Sequence, residues 1–240
     1  MRLLTACAAL ALLAVPAMAA GPGGLAAVVA KTARPEADVA RDADRKPAEV
    51  MAFAGVRPGA KVAEIAPGGG YFTRLLSAAV GPKGYVYTFA GRPSPAVAAI
   101  AQATGNVSVG VGKAGDALAP EPVDIVWTTQ NYHDFKNAKV GDEDAAAVYN
   151  RAAFAALKPG GVYLIGDHQT AKGAGASQTS TLHRIEDAVV IREVEAAGFK
   201  LEARSNLLRH PADDHTLKVQ ESGIRGKTDQ FLLRFRKPRK

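Results

Sequence analysis

Residues 61–76, KVAEIAPGGGYFTRLL, limit the fold more than any other part of the chain. Val62, Ala63 and Ile65 form a short apolar run of the kind a buried strand needs. Gly68, Gly69 and Gly70 then permit a tight turn, because glycine reaches positive φ without steric cost. Behind the turn, Phe72, Leu75, Leu76 and Ala79 recur at helical spacing. The reading is strand, glycine loop, helix. Such a loop lets a ligand approach bare backbone, with helix N–H groups facing it. Glu64 falls at the carboxyl end of the strand, where open α/β sheets take their ligands. The dinucleotide fingerprint G-x-G-x-x-G is met by Gly68 and Gly70, but Thr73 occupies the third glycine position.

The same alternation runs on downstream. Residues 85–89 and 107–111 read as strands, separated by a helix that Ser94-Pro95 opens and Gly105 closes. Residues 123–128 are nearly all apolar, as expected of a strand covered on both faces. An alanine-rich helix over 142–157 ends at Lys158-Pro159-Gly160-Gly161, which reads as a turn, and 162–165 form a fifth strand. Residues 171–181 are small and polar, as in a mobile loop. A helix over 184–197, stopped by Gly198, leads to the last two strands at 200–205 and 230–236. Ahead of the glycine loop, Pro47 opens a helix that Pro58-Gly59 stops. This alternation predicts an α/β fold, a sheet with helices on both faces.

A chain of 240 residues is long enough for one domain with a full core. Residues 1–19 differ in kind from the rest. Arg2 is their only charge, 3–15 are almost wholly apolar, and Ala17-Met18-Ala19 has the small-x-small cleavage pattern. They read as a secretory signal peptide whose apolar core is too short for a comfortable membrane span. An exported, periplasmic protein with no stable membrane span after cleavage is therefore expected. Cys7, the only cysteine, falls inside that segment, so no thiol remains for a nucleophile, a disulfide or a thiolate metal site. Residues 20–46 are alanine-rich with mixed charge and no clear helical face. They are expected to be a partly ordered lead-in to a single domain at 47–240. The net charge is +7, with much of the excess in the tail RFRKPRK at 234–240. Without aromatic residues beyond Phe235, the tail reads as solvated, and no nucleic-acid partner is expected.

Glu64-Ile65-Ala66-Pro67-Gly68-Gly69-Gly70 resembles the acidic-x-G-x-G-x-G signature of class I S-adenosylmethionine (SAM) methyltransferases, with Ala66 in place of the first glycine. Gly115-Asp116-Ala117 resembles that family's acid facing the adenine. Residues 157–162, LKPGGV, resemble the turn entering its fifth strand. A closer resemblance, to a group of secreted uncharacterised predicted methyltransferases, is carried by Tyr132-His133-Asp134, His183-Arg184-Ile185, Pro211-Ala212-Asp213-Asp214-His215 and Arg225-Gly226-Lys227-Thr228-Asp229. The resemblance implies a Rossmann-like class I methyltransferase fold: a mostly parallel seven-stranded sheet, its last strand antiparallel, with helices on both faces. It also implies SAM as cofactor and a small-molecule methyl acceptor. It places Glu64, Ala66, Gly68, Gly70, Tyr71, Asp116 and Asn131 around the cofactor. Ala90 joins this set because it stands where the family carries an acid that binds both ribose hydroxyls. Losing that charge-assisted hydrogen bond costs roughly 1.5–3 kcal/mol. The alternative reading is therefore a non-catalytic secreted relative that keeps the pocket for another ligand.

Methyl transfer is an in-line displacement, so the site chiefly supplies position, and a base where the acceptor must lose a proton. Residues 130–134, QNYHD, follow the fourth strand at the ligand-binding edge. His133 is the candidate base, since imidazole titrates near neutrality. Asp134 is read as orienting it, and Tyr132 as packing against cofactor or acceptor. Asp167-His168 follow the fifth strand and with Asp134 make a nitrogen- and oxygen-rich set. The further acid of metal-dependent relatives would fall near Thr129, which cannot replace it, so no metal site is assigned. Asp213, Asp214 and His215, with Arg225 and Asp229, read as structural or acceptor-binding. His183 and Glu186 open a helix, Glu186 favourably for its dipole, and His210 has no evident partner.

Overall fold

The computed structural model describes residues 22–239, so the signal peptide read at 1–19 lies outside the described residues. One sheet contains β1 (Lys61–Ile65), β2 (Tyr85–Ala90), β3 (Val107–Val111), β4 (Val123–Thr129), β5 (Leu157–His168), β6 (Lys200–Ser205) and β7 (Gln230–Arg236). Their spatial order is β3-β2-β1-β4-β5-β7-β6. The first five pair in parallel, and β7 runs antiparallel to both β5 and β6. This is the mostly parallel, seven-stranded, Rossmann-like sheet expected. The strand order reverses between β1 and β4, which opens a crevice at their carboxyl ends.

Each inner strand sends alternate side chains to opposite faces, and the two faces gather separate cores. Val62, Ile125, Trp127, Leu164 and Leu232 join one core; Ala63, Val126, Tyr163, Ile165 and Leu233 join the other. The first core is closed by α1 (Pro22–Lys31), α4 (Pro47–Ala54) and α5 (Tyr71–Val80), through Leu25, Met51, Leu75 and Leu76. The second is closed by α8 (Ala145–Ala156) and α9 (Asp187–Ala196), through Tyr149, Ala153, Val190 and Val194. Each large apolar side chain buried here contributes roughly 1.5–3 kcal/mol. Between β2 and β3, α6 (Pro95–Thr104) is capped as read, with the Ser94 hydroxyl accepting from the Val97 N–H at 3.4 Å. Among the described residues no helix is long and apolar enough to cross a membrane.

Two local readings are corrected. Lys158-Pro159-Gly160-Gly161 is a bulge within β5 rather than a turn before it. The register with β4 jumps from Val123↔Leu157 to Ile125↔Val162, and Gly160 at φ 77° absorbs the extra residues. The second correction is the lead-in, expected to be partly ordered. Residues 22–46 form α1, α2 (Glu36–Val39) and α3 (Asp42–Arg45), and they dock. Leu25 is buried, with Val28 and Val29 packed beside it against the first core. Those three positions are a helical i, i+3, i+4 face that the surrounding alanines dilute. A bidentate Arg34–Asp42 pair (2.7 and 2.6 Å) then ties the end of α1 to α3.

Candidate active site

The crevice above β1 and β4 holds a cleft of about 220 Å³. Its floor is the end of β1 and the glycine loop, Glu64 to Gly69, with Trp127, Thr129, Gln130 and Asn131 from the end of β4. Side-chain room is open at Gly68 and Gly69, where a Cβ would meet nothing within 4 Å. Trp127 is fully buried beside Phe72, and its Nε1–H has no protein partner. The roof is the N-terminal segment. Asp38 pairs with Arg74 at 3.0 Å, Asp42 accepts from the Tyr71 hydroxyl at 2.6 Å, and Arg45 stacks 4.5 Å from the Tyr71 ring centroid. Arg45 also hydrogen-bonds Gln130 across the crevice. Burial lowers its guanidinium to about 10, which leaves it charged at neutral pH.

Glu64 is almost wholly buried and accepts a hydrogen bond from the Thr73 hydroxyl at 2.6 Å. Burial pushes its carboxyl up to about 7, although Thr73 and Arg45 pull the other way. Thr73, which breaks the dinucleotide fingerprint, is here the partner that Glu64 needs. Of the residues expected around a cofactor, Glu64, Ala66, Gly68, Tyr71 and Asn131 line the cleft. Gly70, Ala90 and Asp116 do not. At φ 81°, Gly70 directs its missing side chain at Ile100 of α6, so its lack of a Cβ serves packing. Asp116 closes the turn after β3 by accepting from the Lys113 N–H at 2.9 Å. Ala90 ends β2 and leaves that position without a carboxylate.

A second lobe of about 220 Å³ adjoins the first and shares Arg41, Arg45 and Gln130 with it. Its lining adds Asp44, His133, Asp134, His168, Arg225 and Gln230. His133 is held from behind by Asp167, at the end of β5. One carboxylate oxygen accepts the His133 backbone N–H at 2.8 Å, and the other meets its Nδ1 at 2.8 Å. The His168 N–H adds a third bond at 2.8 Å. Burial alone would raise the Asp167 carboxyl, but His133 and these donors outweigh it and hold it below its usual range. Burial would likewise lower the His133 imidazole, yet Asp167, helped by Asp134, holds it above its ordinary value. An ionised Asp167 makes Nδ1 the donor and leaves Nε2 for the open side. There it meets His183 Nδ1 at 3.3 Å and Asp134 Oδ1 at 3.3 Å. His168 bonds the Thr228 hydroxyl at 2.8 Å and is pushed down to about 4 by burial, hence neutral.

Two expected roles change. Asp134 is half-exposed and does not orient His133; the buried Asp167 does. Tyr132 faces neither lobe. Its hydroxyl accepts from Asn150 at 2.8 Å and donates to Glu193 at 3.0 Å, pinning α7 (Tyr132–Asn137) to α8 and α9. Tyr132 thus positions its neighbours His133 and Asp134. The 211–229 loop is largely exposed but is anchored by buried residues, Asp213, Val219, Thr228 and Asp229, in line with the structural reading. Arg184 makes a bidentate pair with Asp213 (2.8 and 3.1 Å), both side chains fully buried. Asp213 also accepts the Asp229 N–H, and Asp229 takes Arg209, His210 and His215. His183 was read as opening a helix, but α9 begins only at Asp187. His183, at φ 57°, instead reaches the His133 cluster. No local sequence signal pointed to Arg45, and the sequence marked His183 without placing it at the site, since each meets the site from a remote part of the chain.

No protein-family model and no curated protein matches the sequence. The fold, in contrast, is shared with solved structures. A SAM-dependent methyltransferase from Aquifex aeolicus superposes with a TM-score of 0.59 at 16% identity, over 90% of this chain and 98% of that one. The [4+2]-cyclase SpnF gives 0.59 at 17% identity over 82% of each chain. Fibrillarin from Aeropyrum pernix, solved with natively bound SAM, gives 0.50 at 16% identity over 78% of this chain and 73% of that one. At such identities the likeness is one of fold.

Proposed function

We propose that this chain is a SAM-dependent methyltransferase acting on a small acceptor. The observation that carries the reading is the first cleft. It combines an open Gly68-Gly69 backbone at a helix N-terminus with a buried acid on β1, at the point where the strand order reverses. Its lining also fits the cofactor's chemistry. Asp38 and Glu64 face Arg41 and Arg45, which suits a zwitterionic amino-acid end, and the free Trp127 N–H offers a donor. SAM, when bound, supplies a methyl group on a sulfonium sulfur, which an acceptor lone pair takes as the carbon–sulfur bond breaks.

The chain's own residues would do the rest. Glu64, Gly68 and Gly69 would hold the cofactor, and the roof over 36–45 would keep water out. The second lobe would hold the acceptor among Arg41, Arg225 and Gln230. His133 Nε2 stands where an acceptor proton can be received, with Asp167 steadying the resulting imidazolium. Tyr132 and Asp167 are positioning residues for this group. The leader at 1–19 supports action outside the cytoplasm, which N-terminal mass spectrometry of the native protein would check by finding Ala20 first.

Calorimetric titration with SAM and with its demethylated product tests the reading. Saturable binding of both is the expected result, and no binding at millimolar concentration overturns it. Ala90 favours a second reading, in which the same cleft takes a ligand without a ribose diol. The cyclase with this fold illustrates that the architecture is not confined to one chemistry. Binding of neither SAM nor its product would turn attention to that reading.

A further inference from the structure

We propose that His133, Asp134 and His183 form a binding site for a first-row divalent transition-metal cation beside the acceptor lobe. Three ligand atoms face one another. His183 Nδ1 lies 3.3 Å from His133 Nε2 and 3.2 Å from Asp134 Oδ1, and the third edge, His133 Nε2 to Asp134 Oδ1, is 3.3 Å. Zinc-like ions sit about 2.0–2.2 Å from nitrogen and oxygen ligands. Ligand atoms on such an ion are then separated by about 3.0 Å at right angles and about 3.4 Å at the tetrahedral angle. The triangle found here falls between these values on all three edges. The spacing of the three atoms is that of three ligands on one ion.

Hydrogen bonding leaves the cluster unsatisfied when the His133 ring is neutral, the form in which it can bind a cation. Asp167 fixes the His133 Nδ1 as donor, so the neutral ring presents a lone pair at Nε2. Asp134 Oδ1 is also an acceptor. With the ring neutral, only His183 Nδ1–H can lie between them and the His133–Asp134 edge joins two lone pairs; a proton on Nε2 or a cation can fill that edge, and the two compete for the same atom. A cation reconciles all three atoms. The surroundings have the features expected of a metal centre. Asp167 buttresses the ring nitrogen opposite the ligand atom, as the outer carboxylate of carboxylate–histidine–metal sites does. His183 is kept at φ 57°, a conformation that costs a non-glycine residue about 1–3 kcal/mol and that brings its ring to the cluster. Two imidazoles and one carboxylate favour zinc, cobalt, nickel or iron(II) over magnesium or calcium. His133 and Asp134 line the second lobe, so a coordinated acceptor hydroxyl or water would have its pKa lowered there. With the cation bound, His133 Nε2 is a ligand, and the cation takes over the proton-releasing task. Only that last consequence rests on the methyl-transfer reading; cation binding does not.

The test uses the mature protein stripped with chelator and titrated calorimetrically with Zn²⁺ in the absence of SAM, with Co²⁺ visible absorption as a second readout. One Zn²⁺ per chain at micromolar affinity or tighter, and a cobalt spectrum of mixed nitrogen–oxygen ligation, are expected. Asp134→Asn and His183→Ala change exposed or half-buried side chains and should unfold as cooperatively as the parent. Each should weaken Zn²⁺ at least about tenfold, and Asp167→Asn by roughly 10–100-fold. His210→Ala, at a histidine outside the cluster, should leave binding unchanged. No one-to-one binding at millimolar Zn²⁺ would overturn the site. So would binding that survives Asp134→Asn and His183→Ala together, or that disappears with His210→Ala. Zn²⁺ binding without SAM binding would keep the cation site and remove the methyltransferase reading; the reverse pattern would do the opposite.

Discussion

Asp167 grips His133 at two points, the backbone N–H and the ring Nδ1, both at 2.8 Å. The carboxylate therefore sets where the residue sits and which ring nitrogen is free. Asp167→Asn keeps the shape but offers one oxygen and one amide, so the ring loses its enforced tautomer. Turnover on a true acceptor should fall roughly 10²–10⁴-fold, with SAM affinity nearly unchanged. Single-turnover methyl transfer beside calorimetry would separate the two. Unchanged turnover would reduce the grip to a packing device.

Glu64 makes stability depend on pH. Its carboxyl is near 4.5 in the unfolded chain and is pushed up to about 7 by burial in the fold. The native state therefore binds the proton more tightly. Its contribution is fully present below about 4.5 and is lost as pH rises to about 7, by roughly 3 kcal/mol across the window. His168, pushed down to about 4 by burial, contributes an opposing slope over nearly the same window, so Glu64 is read as a difference between two proteins. Relative to the parent, Glu64→Gln should gain stability steadily between pH 4.5 and 7.5 in urea midpoints, and a pH-independent difference would mean that Glu64 does not carry the effect.

The glycine loop separates two kinds of damage. Gly68 is open to the cleft, so Gly68→Val should weaken SAM binding at least about tenfold. Its positive φ adds about 1–2 kcal/mol of destabilisation. Gly70→Ala instead drives a methyl group into Ile100 and strains the entry to α5. Its main effect should be a lower melting temperature. Loss of SAM affinity in fully folded Gly70→Ala protein would contradict this assignment.

The Arg184–Asp213 pair anchors the loop that walls the second lobe. Removing one partner leaves a buried charge uncompensated, so Arg184→Ala and Asp213→Ala should each cost about 3–5 kcal/mol. Because the two share one interaction, the double variant should cost clearly less than the two losses together. Chemical denaturation of the four proteins measures this. Additive losses would show that the pair is not coupled.

Local pattern revealed the sheet because its strands are short apolar runs separated by strong turn residues. Ser94-Pro95 and Gly105 fixed α6 for the same reason. The bulge at 158–161 stayed hidden because Pro-Gly-Gly looks alike in a turn and in a bulged strand; only pairing with β4 distinguishes them. The first cleft was half legible. Its floor is contiguous sequence, from Glu64 to Gly69, whereas its roof comes from residues whose value lies in contacts such as Arg45 with Gln130, 85 positions apart. The second lobe was legible at His133 and Asp134, which sit at a strand end. It was not legible at Asp167 as the orienting acid or at His183, which only the fold brings near.

Arg45 and Gln130 form the shared wall between the two lobes. A ligand in either lobe therefore meets that wall. Any displacement of Arg45 toward one side reshapes the other. A ligand that moves Arg45 links the occupancies of the two lobes. Whatever factor the first ligand imposes on the affinity of the second, the second imposes equally on the first.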